Sequence, residues 1–209
     1  MRIAVLGAGA IGSSIGGMLA LAGEDVTLVA RPDHAAAINA HGLRMTGFLR
    51  ETVRVRAAER LDFRPDLILL CTKTQDVEEA CRLNAAFALG VPLVTMQNGV
   101  ASPDIAASVL GRDGIIAGVV FLGATYVQPG EVFCITRKGM AIGEWSQPNG
   151  DRVRGIAQAL GKALPAAVVD NVRGSMWMKL VINLTNCVQA TTGLSVQELD
   201  QHSDFVELS

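Results

Sequence analysis

Three glycines near the start of the chain have the spacing of a site that binds the pyrophosphate of a dinucleotide. Gly7, Gly9 and Gly12 form G-x-G-x-x-G, directly after the apolar residues 3–6 and before a helical pattern over residues 13–22. The first glycine of such a motif permits a tight turn, the second lets the backbone approach the phosphates, and the third lets the helix pack close to the strand. The N–H groups of the first helical turn then face the anion. The motif predicts a dinucleotide site; a glycine-rich turn without a ligand is the alternative.

The end of the second β-type run, residues 26–30, indicates which dinucleotide the site would prefer. NAD-preferring sites usually carry Asp or Glu there, which binds the ribose 2′-OH. This chain has Arg31 at that position, whereas Glu24 and Asp25 precede the run. A guanidinium suits a 2′-phosphate, because it can form charge-assisted and often bidentate hydrogen bonds. We therefore predict NADP(H) as the cofactor; an ordinary surface arginine is the alternative.

Polar residues also follow two further apolar runs, where parallel strands are predicted to end. Lys73 belongs to T-K-T-Q (72–75) and Asn98 to Q-N-G-V (97–100). Ligands of open α/β sheets bind beyond the carboxyl ends of the strands, so both clusters are expected to face the cofactor. Lys73 could bind a phosphate, a ribose or the nicotinamide edge, and Asn98 the carboxamide, a ribose hydroxyl or a substrate. A lysine at a helix start and an Asn-Gly turn are the structural alternatives.

The last predicted helix carries a polar stripe. Lys179, Asn183 and Asn186 are spaced i, i+4 and i+7, so they share one face of a helix whose other faces are apolar. A buried lysine with amide neighbours is a suitable general acid for a carbonyl that receives a hydride. The alternative is the solvent-exposed side of an amphipathic helix. Trp177 and Met178 are expected to lie in the core.

The elements that would position these residues alternate along the chain, and the alternation predicts an α/β fold. We expect a Rossmann-type doubly wound parallel sheet with an antiparallel extension, followed by the start of a helical C-terminal domain. A polar-alternating hairpin is expected over residues 43–57. The predicted strands lie near residues 2–6, 26–30, 66–71, 91–96, 115–122, 131–136, 140–143 and 166–169. The predicted helices lie near residues 10–22, 33–41, 76–89, 103–110, 151–163 and 172–191.

This pattern predicts an NADP-binding Rossmann-like domain over residues 1–170 and the beginning of a helical substrate and dimerisation domain over residues 171–209. The final residues have the pattern of another helix opening. The sequence is therefore expected to be a fragment, or a gene product shorter than its relatives.

Composition limits the classes of function. The 209 residues are 50% hydrophobic and carry a net charge of −2, so a substantial core is expected and nucleic acid is not an expected partner. No secretory leader is predicted, and the apolar stretch 176–188 is too short and too polar to span a membrane. The four cysteines show no metal-ligand spacing, so reduced thiols, a cytoplasmic location and no metal are expected. His34, His41 and His202 are expected to be solvated.

With these motifs the chain resembles the ketopantoate reductase (2-dehydropantoate 2-reductase) family. The resemblance is carried by G-A-G-A-I-G, C-T-K-T-Q, Q-N-G-V and W-M-K-L-V-I-N, with the arginine after the second strand. It implies that Lys179 is the proton donor and that the substrate is bound by Asn98, Lys179 and Asn183. It also implies a set of residues that contact NADP(H): Gly7, Ala8, Gly9, Ala10, Ile11, Gly12, Arg31, Lys73, Asn98 and Ala124.

The resemblance further implies the NADPH-dependent reduction of a 2-oxo acid, namely 2-dehydropantoate to (R)-pantoate in pantothenate and coenzyme A synthesis. A homodimer through the C-terminal helix is an associated expectation. The family's helical C-terminal domain supplies a serine and a glutamate that have no counterpart in this sequence, and its second helix asparagine would fall on Cys187. The chain is therefore expected to bind NADPH, to reduce 2-dehydropantoate poorly or not at all, and to self-associate.

Two other functions stay open at this point. A related dehydrogenase could act on another 2-oxo or 3-hydroxy acid. A non-catalytic NADP(H)-binding module would need the glycine motif but not Lys179 and Asn183. A methyltransferase is less favoured, because its second strand would end in an acid for the adenosine ribose rather than in Arg31.

Overall fold

The computed structural model describes residues 1–194 and, among these, the side chains of all but residues 185, 186, 188 and 189. The side chain of Asn186 and the whole of His202 lie outside that description. The ten strands of the described part are β1 (Arg2–Leu6), β2 (Asp25–Val29), β3 (Leu43–Gly47), β4 (Glu51–Val53), β5 (Arg56–Ala58), β6 (Leu67–Leu70), β7 (Leu93–Thr95), β8 (Ile115–Gln128), β9 (Glu131–Glu144) and β10 (Ala166–Val168). The helices are α1 (Ala10–Leu21), α2 (Pro32–His41), α3 (Val77–Ala88), α4 (Ser102–Leu110), α5 (Asp151–Gly161) and α6 (Val172–Thr192), with a short 3-10 helix (Thr74–Asp76) before α3.

The strands form one sheet in the order β4-β3-β9-β8-β7-β6-β1-β2-β5, and β10 pairs with β9. The strands from β8 to β5 run parallel, and the order reverses between β1 and β6. The register aligns Leu6 with Val29 on one side and with Leu70 on the other, so three carboxyl ends meet at one edge of the sheet. A crevice at such a reversal is where open α/β sheets bind ligands. The predicted fold class is confirmed.

Both faces of the parallel sheet are covered. Ile3 and Val5 of β1 belong to a core cluster on one face, while Ala4 and Leu6 belong to the cluster on the other. All four are buried, which is why the strand is a continuous apolar run rather than an alternating one. The first cluster includes residues of α1, α2 and α5, and the second includes residues of α3, α4 and α6.

The antiparallel extension is longer than its sequence pattern predicts. β8 and β9 pair antiparallel over 14 residues each, from Ile116 opposite Glu144 to Gln128 opposite Glu131. Three register shifts interrupt the pairing. They break the apolar–polar alternation, so the sequence pattern divides β9 into two short runs where the structure has one continuous strand.

The hairpin predicted over residues 43–57 is only partly present. β3 and β4 pair antiparallel as expected, but β5 lies at the far edge of the sheet, parallel to β2, with Val29 opposite Ala58. Its buried residue Ala57 packs into the first core cluster. The pairing of β5 is non-local, and local alternation carries no information on it.

The prediction that Trp177 and Met178 lie in the core is wrong. Both are exposed, by 54% and 63% of their surface. α6 contacts β8 and β9, and it buries Val172 and Met176 in the second core cluster. The helix is apolar on several sides but packs against the sheet on one side only. Sequence periodicity could not identify that side.

His34 is buried, so the prediction that the histidines are solvated is wrong for this residue. Only 1% of its surface is exposed, and Gly130 N–H donates a hydrogen bond to its Nδ1 at 2.8 Å. Nδ1 is therefore unprotonated, and Nε2 carries the proton and donates it to Ser13 Oγ at 3.0 Å. The Ser13 hydroxyl in turn donates to the Ala8 carbonyl at 3.0 Å. This chain of hydrogen bonds, here named the His34 relay, joins the glycine turn to the turn between β8 and β9.

The His34 relay fits only a neutral imidazole. Burial lowers the pKa of His34; the positive charge of Arg31 also lowers it, while the carboxylate of Asp33 opposes the shift. As the pH is lowered, the His34 ring therefore becomes protonated at a higher pH in the unfolded chain than in the folded chain. Stability must then fall as the pH decreases below the ordinary histidine value of about 6.5.

A His34→Asn variant tests this dependence, because asparagine keeps hydrogen-bonding atoms but does not titrate. At pH 7.5 we expect the variant to be less stable than the wild type by about 1–3 kcal/mol. The difference should shrink towards pH 5.5, with a wild-type slope of at most about 1.4 kcal/mol per pH unit from this one proton. Urea unfolding at several pH values measures it, with His41→Asn on the exposed end of α2 as control. Equal pH slopes in the wild type and His34→Asn would contradict the relay.

Candidate active site

Two adjoining cavities lie at the carboxyl ends of the parallel strands. The larger, of about 690 Å³, lies over the glycine turn and the end of β2, and the smaller, of about 360 Å³, lies beside β7, β8 and α6. They share the lining residues Cys71, Thr72, Lys73 and Gln75. A further cavity of about 770 Å³, between the β3–β4 hairpin and β9, is lined by none of the predicted site residues. The two adjoining cavities are the candidate site, because they lie at the reversal of the strand order.

The glycine turn has the geometry that its sequence predicts. Gly7 has a φ of +90°, and a Cβ there would lie 2.6 Å from the backbone nitrogen of Thr72. A Cβ on Gly12 would lie 2.5 Å from the Gly7 carbonyl oxygen, so both positions exclude side chains. A Cβ on Gly9, by contrast, would have no other atom within 4 Å. Gly9 is also the N-cap of α1, where no side chain caps the helix, so the first-turn N–H groups are available to an anion.

Two arginines stand at neighbouring strand ends beside the larger cavity. β2 and β5 are in parallel register up to Val29 and Ala58, and Arg31 and Arg60 each follow two residues later. Both side chains are exposed and line the cavity, and neither belongs to an ion pair among the residues that the structure describes. Two adjacent cations without a carboxylate partner favour an anionic ligand.

Tyr126 of β8 closes the same side of the larger cavity. The Arg31 guanidinium lies 5.8 Å from the centre of the Tyr126 ring. The His34 ring contacts the Tyr126 ring edge-on, with the two ring centroids 5.0 Å apart. Glu59 and Asp76 also line this cavity, so its charge is mixed rather than uniformly positive.

The smaller cavity brings together four of the predicted residues, among them Ile11 of α1. Lys73, Asn98 and Lys179 all line it, although they come from the ends of β6 and β7 and from α6. Lys179 Nζ donates a short hydrogen bond to the Val120 carbonyl of β8, which fixes the amine at the cavity wall. Burial lowers the pKa of the Lys179 amine. A half-buried lysine with a lowered pKa, at a cavity that adjoins the glycine turn, can donate a proton to a bound molecule.

Four other predicted residues do not line the cavities. Ala10 and Gly12 belong to the first turn of α1. Asn183 is half-buried on α6, one turn beyond Lys179. Ala124 lies on β8 between Leu122, which lines the smaller cavity, and Tyr126, which lines the larger. Arg60 and Tyr126 also line the larger cavity but were not predicted from the sequence. They reach the cavity through non-local strand pairing, so no local signal could have identified them.

Cys71 lines both cavities, but the environment of its thiol disfavours a role as nucleophile. Burial raises its pKa to about 12, so the reactive thiolate is scarce at neutral pH. Within residues 1–194 no cluster of three or more His, Cys, Asp or Glu side chains could hold a metal ion. In the same part of the chain no helix is both long and apolar enough to cross a membrane.

The sequence and the fold both match known proteins. Residues 3–147 match the family model described as ketopantoate reductase PanE/ApbA. A 2-dehydropantoate 2-reductase from Pyrococcus abyssi (strain GE5 / Orsay) is 36% identical over 186 residues, which cover 88% of this chain and 61% of that protein. The chain thus spans less than two thirds of the length of this curated relative.

Solved structures agree with this match. The crystal structure of a PanE/ApbA family ketopantoate reductase from Ralstonia eutropha JMP134 superposes with a TM-score of 0.87 at 34% identity, over 100% of this chain and 70% of that one. A D-mandelate dehydrogenase in complex with NADH superposes with a TM-score of 0.89 at 25% identity, over 100% of this chain and 69% of that one. From the match over residues 3–147 and the shared fold, we conclude that the chain belongs to the ketopantoate reductase family.

Proposed function

We propose that the chain carries the cofactor site and the proton donor of an NADPH-dependent 2-oxo acid reductase, with 2-dehydropantoate as the substrate. One observation carries the proposal: Lys179 lines the same cavity as Lys73 and Asn98, and this cavity adjoins the glycine turn. The names of the relatives support the substrate, since the Pyrococcus abyssi protein is a 2-dehydropantoate 2-reductase. We also propose residues 1–170 as the cofactor domain and residues 171–209 as part of a helical substrate domain.

The residues of the larger cavity fit a nicotinamide dinucleotide. The open side of Gly9 and the uncapped start of α1 suit a pyrophosphate. Arg31 and Arg60 favour NADP over NAD, because NADP carries an additional phosphate that the two guanidiniums would neutralise. The D-mandelate dehydrogenase of similar fold is in complex with NADH, so this fold alone does not determine the choice. The arginines therefore carry the argument for NADP.

The residues of the smaller cavity fit the reduction of a ketone. NADPH, when bound, supplies a hydride to the ketone carbon. Lys179 Nζ donates a proton to the ketone oxygen as negative charge develops there, and its ammonium stabilises that charge before the transfer. The lowered pKa of Lys179 makes its proton easier to give up than that of a solvated lysine. Asn98 and Asn183 would orient the substrate with their amide groups.

A second candidate is a dehydrogenase for another 2-oxo or 3-hydroxy acid, since a D-mandelate dehydrogenase shares the fold. A non-catalytic NADP(H)-binding module is less favoured, because such a module has no use for a half-buried Lys179 held at the cavity wall. The two enzyme functions differ only in substrate, so a panel of 2-oxo acids distinguishes them.

Arg31→Ala tests the choice of cofactor. We expect NADPH to bind about 1.5–3 kcal/mol more weakly, since hydrogen bonds to a charged phosphate are lost, while NADH affinity changes little. Calorimetric titration of the same preparation with both cofactors measures the difference. Arg154→Ala, on the exposed side of α5, is the matched control. An equal loss for the two cofactors would refute the assignment of Arg31 to the 2′-phosphate.

Lys179→Ala tests the proton donor. In the full-length protein, turnover of 2-dehydropantoate should fall by roughly 10²- to 10⁴-fold with NADPH affinity nearly unchanged, because the lysine acts on the ketone oxygen. Steady-state NADPH oxidation with a panel of 2-oxo acids measures turnover, and the exposed Lys138→Ala serves as control. Near-normal turnover in Lys179→Ala would contradict the role of Lys179. Tight NADPH binding without turnover of any 2-oxo acid by the full-length wild type would support the binding module instead.

A further inference from the structure

Gln97 has an amide group whose orientation is determined by its surroundings. The residue follows β7 and is only 9% exposed. Its Nε2 donates to the Leu70 carbonyl at 2.9 Å and to the Thr72 carbonyl at 3.1 Å. These two bonds use both amide hydrogens, and a carbonyl can only accept. The nitrogen and oxygen of the amide therefore cannot be exchanged, and Oε1 must lie on the side away from the two carbonyls.

Gln97 Oε1 is a buried acceptor that needs a donor. No donor among the residues described by the structure lies within hydrogen-bond distance of it. The residue lines the smaller cavity together with Asn98 and Lys179. An unpartnered buried acceptor is destabilising, so native structures almost always satisfy it with protein, water or a ligand.

A second unpartnered group lies in the same cavity. Thr72 Oγ1 is buried without a hydrogen-bond partner in the described part of the chain. Its Cγ2 methyl is 2.7 Å from the position that a Cβ on Gly7 would occupy, so the methyl packs against the glycine turn. Two residues that line one cavity, at the ends of β6 and β7, thus carry one unpartnered acceptor and one unpartnered hydroxyl.

We infer that Gln97 is a ligand-recognition residue, whose Oε1 accepts a hydrogen bond from an N–H or O–H donor on the nicotinamide half of the cofactor. The inference rests on the proposed function. The glycine turn lies in the larger cavity, and Thr72 and Lys73 line both cavities, so a dinucleotide with its pyrophosphate at the turn extends its other half past them into the smaller cavity. That half carries two kinds of donor, the carboxamide NH₂ and the ribose hydroxyls.

Cofactor analogues that lack one donor at a time test the inference. The 3-acetylpyridine analogue of NADP⁺ replaces the carboxamide NH₂ with a methyl group, and a deoxy analogue removes a hydroxyl of the nicotinamide ribose. Calorimetric titration gives the affinity of each for the wild type and for Gln97→Met, which has similar length but no polar atoms. The exposed Gln158→Met on α5 is the matched control and should bind all three cofactors as the wild type does.

We expect the wild type to bind one of the two analogues roughly five- to a hundredfold more weakly than NADP⁺, and Gln97→Met to lose that discrimination. The analogue that the wild type binds more weakly identifies the cofactor group that donates to Gln97 Oε1. Tight NADP⁺ binding with the same discrimination in both proteins would overturn the inference and make Gln97 a structural link between β6 and β7. No NADP⁺ binding by the folded wild type would instead overturn the proposed function.

Gln97→Met removes the side-chain donor to the Thr72 carbonyl and one of the two donors to the Leu70 carbonyl, which also accepts from Met96 N–H, and the variant could fail to fold. A crystal structure of the wild type with NADP⁺ then decides. A cofactor N–H or O–H donor within about 3.2 Å of Gln97 Oε1 supports the inference. A water molecule, or no donor, at that oxygen overturns it.

Discussion

The close approach of the glycine turn to the end of β6 is the constraint on which the site depends. Gly7 lies against the Thr72 backbone, where any side chain would collide, and Cys71 N–H donates to the Leu6 carbonyl at 2.7 Å. The seam between β1 and β6, where the strand order reverses, is therefore closed at the carboxyl ends of the strands by the Gly7 and Thr72 backbones and the Thr72 methyl group. Both cavities border on this seam and share Thr72 because of it. A side chain at Gly7 would move the walls of both at once.

The catalytic side of the site depends on a different kind of contact. Lys179 comes from a helix that packs on β8 and β9, and the Val120 carbonyl holds its amine. β8 thus contributes lining residues to both cavities. Val120 and Leu122 line the smaller cavity, and Tyr126 lines the larger one. One strand couples the geometry of Lys179 to that of the larger cavity. This coupling is a property of the antiparallel extension rather than of the parallel sheet.

Local patterns were enough to predict most of the elements. The glycine motif and the continuous apolar runs of β1 and β6 are visible in the sequence, because turn geometry and burial on both faces leave a local signature. The polar clusters around Lys73 and Asn98 could be expected to share an edge, since the carboxyl ends of parallel strands meet there. Their roles, and that of Lys179, stay predictions.

Non-local pairing and packing could not be predicted. The position of β5 beside β2, which brings Arg60 to Arg31, depends on contacts between distant segments. The burial of His34 likewise depends on Ser13 and Gly130, and the exposure of Trp177 depends on which side of α6 the sheet covers. Each of these residues has an unremarkable local context, so its environment is a property of the fold alone.

The His34 relay also bears on how the chain folds. The hydrogen bond from Gly130 to His34 joins residues 96 positions apart, and the relay continues from there to the glycine turn near the start of the chain. Contacts of such sequence separation form slowly, because loop closure must precede them. The β1–α1 unit can reach its local shape early. The His34 relay to the glycine turn, however, can form only after the β8–β9 hairpin has packed against the rest of the sheet. The larger cavity is thus completed late in folding, because a growing chain shorter than about 130 residues lacks the Gly130 N–H that donates to His34.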